Sequence, residues 1–265
     1  MLAKGILLSA CVMAEIYTAC HSDGMFALTF DQGPSPSTGR LLKSLSKHQA
    51  KATFHITTDY LQNPVIVAYL RKAASDGHLI GLWVKESVAS DKSQLKSYLE
   101  HSAAQVKKHI NYEPQFLRFP NPGPTADILA FVTQRGYIFT TYNLDSQDYS
   151  STSESGEKHG TVFRTIKSTL DMIEPPALGS FIAVQSDLVD ASVTQSDAII
   201  DYVKKKGYKL VRLDECVGQK QIETEELLER SEEEDANIVN GLQHSASDRI
   251  FPSLLMGLGL LACLF

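Results

Sequence analysis

From Phe26 onward, short apolar runs rich in Phe, Ile and Val alternate with longer segments whose apolar residues recur at helical spacing. Runs of the first kind suit buried strands and those of the second kind amphipathic helices, so their alternation points to an α/β fold with parallel strands. The pattern predicts strands over Phe26–Phe30, Ala52–Ile56, Leu79–Trp83, Gln115–Arg118, Tyr137–Tyr142, Ser180–Gln185 and Lys209–Val211. Helices are predicted over Gly39–Lys47, Pro64–Ser75, Lys92–Ile110, Thr125–Arg135, His159–Met172 and Thr194–Lys206. About seven parallel strands with intervening helices predict a single distorted (β/α) barrel, placed over residues 15–218.

The two ends break this rhythm. Lys4 precedes the apolar run Gly5 to Ala14, which is too short to span a bilayer and has small residues at Val12 and Ala14, so residues 1–14 read as a signal peptide. Beyond Cys216 the chain turns acidic, from Gln219 to Asp235, and residues 219–247 read as a solvated spacer or stalk. Residues 248–265 end in the apolar run Leu254 to Phe265, preceded by the small residues Ser245-Ala-Ser247. That order is the pattern of a lipid-anchor attachment signal, with Ser245 as the attachment residue; a buried C-terminal helix is the alternative.

Composition narrows the partners. The chain of 265 residues is 43% hydrophobic with a formal net charge of −6, enough for one sizeable core and without the basic run a nucleic-acid binder needs. An uncharged, polyol-like partner fits better. Of four cysteines, Cys11 falls in the signal segment and Cys263 in the tail. Cys20 and Cys216 are left to pair in an oxidising secretory route, closing almost the whole domain for about 4–5 kcal/mol; two free buried thiols are the alternative. No Asn-X-Ser/Thr acceptor, internal repeat, phosphate-binding loop or dinucleotide fingerprint occurs.

In α/β barrels chemistry sits at the C-terminal ends of the strands. The segments there are Thr29-Phe-Asp-Gln-Gly-Pro34, Gly77-His-Leu-Ile-Gly-Leu-Trp-Val-Lys-Glu-Ser87, Arg118-Phe-Pro-Asn121, Asn143-Leu-Asp-Ser-Gln-Asp-Tyr149 and Ala183-Val-Gln-Ser-Asp187. In this order, and with Lys51-Ala-Thr-Phe-His-Ile56 and Val211-Arg-Leu-Asp-Glu-Cys216 beside them, they resemble the polysaccharide deacetylase family, carbohydrate esterase family 4, which includes chitin deacetylases. The resemblance runs from about Phe26 to Cys216.

It implies a metal-dependent amide hydrolase, and the same residues contradict that chemistry. By the resemblance Asp31 is the general base, Gln32 stands where a metal-binding Asp belongs, and Trp83 and Ser87 stand where two metal-binding His belong. A neutral amide brings no compensating charge, indole offers no lone pair, and an alkoxide is inaccessible at neutral pH. No cofactor is therefore expected, although the family uses zinc or a similar divalent ion. Ser186 replaces the acid His that protonates the leaving amine, a contribution typically worth about 10²–10⁴-fold. Arg118 and Asp145 match the pair that tunes the base, and Asn121, Tyr149 and Asp187 are the remaining pocket residues. Burial of Asp31, Arg118 and Asp145 together can serve structure alone, since removing one partner of a buried charge set costs about 3–5 kcal/mol.

The eight His show no close ligand pairing. His55, at the end of a strand near the expected pocket, reads as a strand His with a satisfied hydrogen bond. Trp83 either fills the vacated pocket or offers a stacking surface for a sugar. Three functions are open: a surface-anchored deacetylase-like barrel without activity, kept for a structural or binding role; an active amidohydrolase with Asp31 as base and Asp187 or His55 recruited; and a carbohydrate-binding module. The partner in each is chitin or another cell-wall glycan, reached through the membrane anchor, with nucleic acid excluded.

Overall fold

The computed structural model describes residues 15–150, 160–173 and 177–221. The signal-like segment, nearly all of the acidic spacer, and the apolar tail with Ser245 lie outside the described residues. In chain order the elements are β1 (Met25–Gly33), α1 (Thr38–Lys47), β2 (Thr53–Ile56), α2 (Pro64–Ser75), β3 (Leu79–Trp83), α3 (Lys92–Ile110), β4 (Phe116–Arg118), α4 (Ala126–Thr133), β5 (Ile138–Phe139), β6 (Leu144–Asp145), α5 (Thr161–Asp171), β7 (Phe181–Ser186), α6 (Asp190–Lys205), β8 (Lys209–Val211) and α7 (Leu213–Val217).

Every strand pairing is parallel, and the strands curl into a (β/α) barrel in the order β5-β4-β3-β2-β1-β7-β6. The central strand β1 is long enough to serve three neighbours. One edge pairs with β7, while the other pairs with β8 over Met25–Ala27 and with β2 from Thr29 onward. Side chains alternate across a strand, so each strand sends one set outward to the helices and the other into the barrel. Outward, Phe26, Leu28, Phe30, Phe54, Ile80 and Leu82 pack with Leu41, Leu45, Leu70, Leu99 and Ile199 of the helices. Inward, Ala27, Leu79, Phe116 and Ile182 meet Val211, Leu213, Cys20 and Cys216 in a separate apolar plug. Cys20 and Cys216 are joined as a disulfide across 196 residues.

The helices start where short polar side chains satisfy free backbone N–H groups. Asn63 caps Val65 with Pro64 at the first turn of α2, Asp91 caps Gln94 in α3, and Thr125 caps Ile128 in α4. One predicted strand does not hold. Tyr137–Tyr142 divides, because Ile138 N–H bonds to the Gln115 carbonyl just before β4 and Thr140 N–H to Leu117 of β4, Thr141 N–H turns to the Tyr17 carbonyl, and Asn143 N–H reaches Ile182 of β7. The chain here leaves one edge of the sheet and joins the other, which makes β6 an element the apolar pattern did not announce. Helix α6 also begins before Thr194, at Asp190. Its buried Ser192, Gln195 and Ser196 interrupt the apolar stripe that sequence reading relies on.

Candidate active site

Register places Asp31 of β1 between His55 of β2 and Ser186 of β7, at the strands' C-terminal ends. Asp31 is buried, only 4% exposed. Its Oδ1 lies 2.8 Å from His55 Nδ1, and its Oδ2 lies 3.8 Å from Arg118 Nη1. Arg118 crosses the barrel from β4, donates from Nη2 to Thr29 Oγ1 at 3.2 Å, and carries the Tyr142 ring 5.5 Å from its guanidinium carbon. Burial, then the Arg118 charge, holds the His55 pKa below the ordinary imidazole range. A neutral imidazole facing an ionised carboxylate must donate from Nδ1, which leaves Nε2 as a bare acceptor. Among the described residues that atom is buried without a hydrogen-bond partner, as are Arg118 Nε and Nη1.

Gln32 sits in a bulge of β1 with φ of 70°, a left-handed conformation that turns its side chain toward β7. There Ser186 Oγ donates to Gln32 Oε1 at 3.2 Å. The Ser186 N–H donates to Asp148 Oδ2 at 2.5 Å, and the same oxygen takes the Ser192 hydroxyl. Burial raises the Asp148 pKa above the usual carboxylate range. Asp187 points elsewhere: its N–H donates to the Asp31 carbonyl at 3.0 Å, and its carboxylate takes the hydroxyls of Thr38 at 2.5 Å and Ser35 at 3.3 Å. Burial pushes its pKa up to about 6. A Cβ at Gly33 would lie 2.1 Å from Asp187 Oδ2, so this brace between β7 and the start of α1 requires glycine there.

The other expected positions are spread around the mouth. Trp83 is half-buried at the end of β3 beside Arg118 in register, its carbonyl accepting the Tyr98 hydroxyl at 2.7 Å. Ser87 is exposed in a 3-10 turn over Glu86–Val88. Asn121 is exposed and donates from its amide to the Tyr142 hydroxyl at 2.8 Å. Asp145 accepts from Gln147 N–H at 2.8 Å and from the Tyr149 hydroxyl at 3.4 Å. The expected trio is therefore a pair: Arg118 stands against Asp31, and Asp145 is occupied within its own loop. His55 is likewise satisfied on one nitrogen only. Sequence reading passed over Asp148, although it lies in a quoted segment, and nothing local distinguishes it from the exposed Tyr149 beside it. For His55 the signal was a polar residue at an inward position of a short strand.

A divalent metal needs ionised carboxylates, thiolates or imidazoles converging on one point. Gln32, Trp83 and Ser87 supply none of these, and among the described residues no group of three His, Cys, Asp or Glu side chains is placed to hold an ion. The donor set does not fit the family's metal. Nor do Ser186, His55 and Asp31 form a relay, because the acid stands between the other two and the Ser186 hydroxyl is spent on Gln32.

Residues 18–139 match the family model described as polysaccharide deacetylase. That stretch of the chain is a polysaccharide deacetylase domain by its family model. A chitin deacetylase of Colletotrichum lindemuthianum is 26% identical over 207 residues, covering 75% of this chain and 82% of the relative. The solved structure of the chitin deacetylase from that fungus superposes with a TM-score of 0.70 at 23% identity, over 78% of this chain and 93% of the other. A CE4 family pseudoenzyme from Bacillus anthracis superposes with a TM-score of 0.67 at 13% identity, over 80% of this chain and 72% of the other. At these identities the structural likenesses speak for the fold alone.

Proposed function

We propose that this chain is a surface-anchored glycan-binding barrel without deacetylase activity. The observation that carries this reading is the commitment of Asp31: its carboxylate is buried against His55 and Arg118 while Gln32, Trp83 and Ser87 stand at the ligand positions. Without a bound ion the attacking water keeps its bulk pKa, and the acetamide carbonyl has no Lewis acid. With Ser186 at the acid position, the leaving amine also lacks a proton donor.

A binding role is supported by the mouth and by the relatives. Tyr149 is 74% exposed and Tyr60 and Leu188 are each 47% exposed, all on loops following strands, with Trp83 half-buried among the strand ends. Such rings can cover an apolar sugar face. The curated fungal relative is a chitin deacetylase, so an N-acetylated cell-wall glycan such as chitin is the ligand class we assign. The signal-like segment and the tail with Ser245 suit delivery to a cell surface, and a phospholipase specific for glycolipid anchors should release the protein from membranes.

Purified protein incubated with chitin oligomers should release no acetate and carry no stoichiometric zinc or cobalt; both together would overturn the reading. The rival, an amidohydrolase with Asp31 as base, predicts that Asp31→Asn abolishes a measurable rate. Chitin pull-down should retain the native chain, and Trp83→Ala should weaken retention. If neither chain is retained, the glycan assignment fails.

A further inference from the structure

Resting on the non-hydrolytic reading, we infer that His55 is a positioning residue that locks Asp31 into the barrel wall, a third barrier to hydrolysis beside the metal positions and the acid position. Three contacts build the lock. The Asp31 carbonyl takes the Asp187 N–H at 3.0 Å, which fixes its backbone at the end of β1. His55 Nδ1, at 2.8 Å, claims Oδ1 from the neighbouring strand. The imidazole is packed against the bare face of Gly81, which leaves the ring room to reach Asp31 in this pose. A Cβ at Gly81 would stand 2.8 Å from His55 Cδ2 and 2.6 Å from the Phe116 carbonyl.

The lock has a chemical consequence. A general base must present a lone pair to the water it activates, within hydrogen-bond reach and in the right direction. Here Oδ1 is bonded to His55 and Oδ2 is turned toward Arg118 inside the wall, so these two side chains set the direction in which the remaining lone pairs point. Restoring the ligands alone leaves the carboxylate in that orientation. His55 is fully buried and reaches no solvent itself, so it cannot take over the role it blocks.

Histidine-selective ¹⁵N labelling of the full chain reads the lock directly. His55 should carry its proton on Nδ1 with a bare Nε2, beside His21, whose Nδ1 faces the Cys216 carbonyl, and Asp31→Leu should abolish the His55 signature while Ser186→Ala leaves it unchanged. A proton on Nε2 of His55 in the unaltered chain overturns the proposal. The second measurement uses a chain carrying Gln32→Asp, Trp83→His, Ser87→His and Ser186→His. In it, adding His55→Phe keeps a ring against Gly81 but removes the donor, and should raise acetate release at least about tenfold at equal zinc content, a fraction of the ~10²–10⁴ a positioned base supplies. His55→Asn, whose amide can donate from near the Nδ1 position, should give no such gain. Equal rates for the Phe and Asn variants overturn the lock. Acetate release by the unaltered chain would instead overturn the non-hydrolytic reading, and the imidazole signal then decides alone whether His55 holds Asp31.

Discussion

The two ends of the barrel interior are built from the same strands and could hardly differ more. At the floor, Ala27, Leu79, Phe116 and Ile182 close around the Cys20–Cys216 disulfide as a dry plug. A few residues further along the same strands, Asp31, His55 and Arg118 fill the interior with polar and charged groups, and among the described residues Arg118 Nε and Nη1 and His55 Nε2 have no hydrogen-bond partner. The floor is arranged for stability. The mouth carries an electrostatic cost that a merely structural end would avoid by using apolar side chains. Buried charges depend on one another, so Arg118 and Asp31 form a unit whatever the other positions around them carry.

The contrast can be broken from either end. Replacing Cys20 and Cys216 together by Ser should cost the most, about 4–5 kcal/mol in the loop-entropy account, seen as a lower urea midpoint. At the mouth, Arg118→Leu strands the Asp31 carboxylate and should cost about 3–5 kcal/mol, whereas Asp145→Asn, in its separate loop, should move stability by less than about 1 kcal/mol. If the two cost the same, the pair observed here is the wrong unit. Gly81→Ala forces a methyl against the Phe116 carbonyl and the His55 ring, and a loss of about 1–3 kcal/mol should appear as a lowered Tm.

The smallest effect sharpens the comparison by its sign. His78, whose Nδ1 accepts the Ala52 N–H at 3.1 Å, has its pKa lowered to about 4 by burial and then by Lys51. The unfolded chain binds that proton first, so this contribution is full above about pH 6.5 and is lost as pH falls toward 4. Asp187 runs the other way: with its pKa raised to about 6, the folded chain binds the proton first, and its contribution is lost as pH rises through 6. Each proton can tilt stability by at most about 1.4 kcal/mol per pH unit. Over the shared window the slopes oppose, so His78→Gln should make stability rise on acidification relative to the native chain, and Asp187→Asn should make it fall faster, both measured by urea unfolding between pH 4 and 6.5.

Much of the barrel was legible in the sequence because buried parallel strands and amphipathic helices write strong periods. Strand β3 and helices α2 and α3 were predicted to the residue. The disulfide was legible by elimination, once Cys11 and Cys263 were assigned to the two end segments. Strand β6 was not, because a two-residue strand is defined by its neighbours' hydrogen bonds and carries no pattern of its own. The start of α6 was hidden for a related reason, its buried face being polar.

At the site, residue chemistry by itself determined that Gln32, Trp83, Ser87 and Ser186 are poor tools for metal-assisted hydrolysis, since ligand strength and acidity belong to the side chain. Which polar groups touch was decided by the tertiary structure alone. Parallel register brought His55 onto Asp31, sent Asp187 to Ser35 and Thr38, and buried Asp148 beneath Ser186. Those contacts join residues far apart in the chain, and only the curvature of the sheet sets the few ångströms that separate a hydrogen bond from an empty gap.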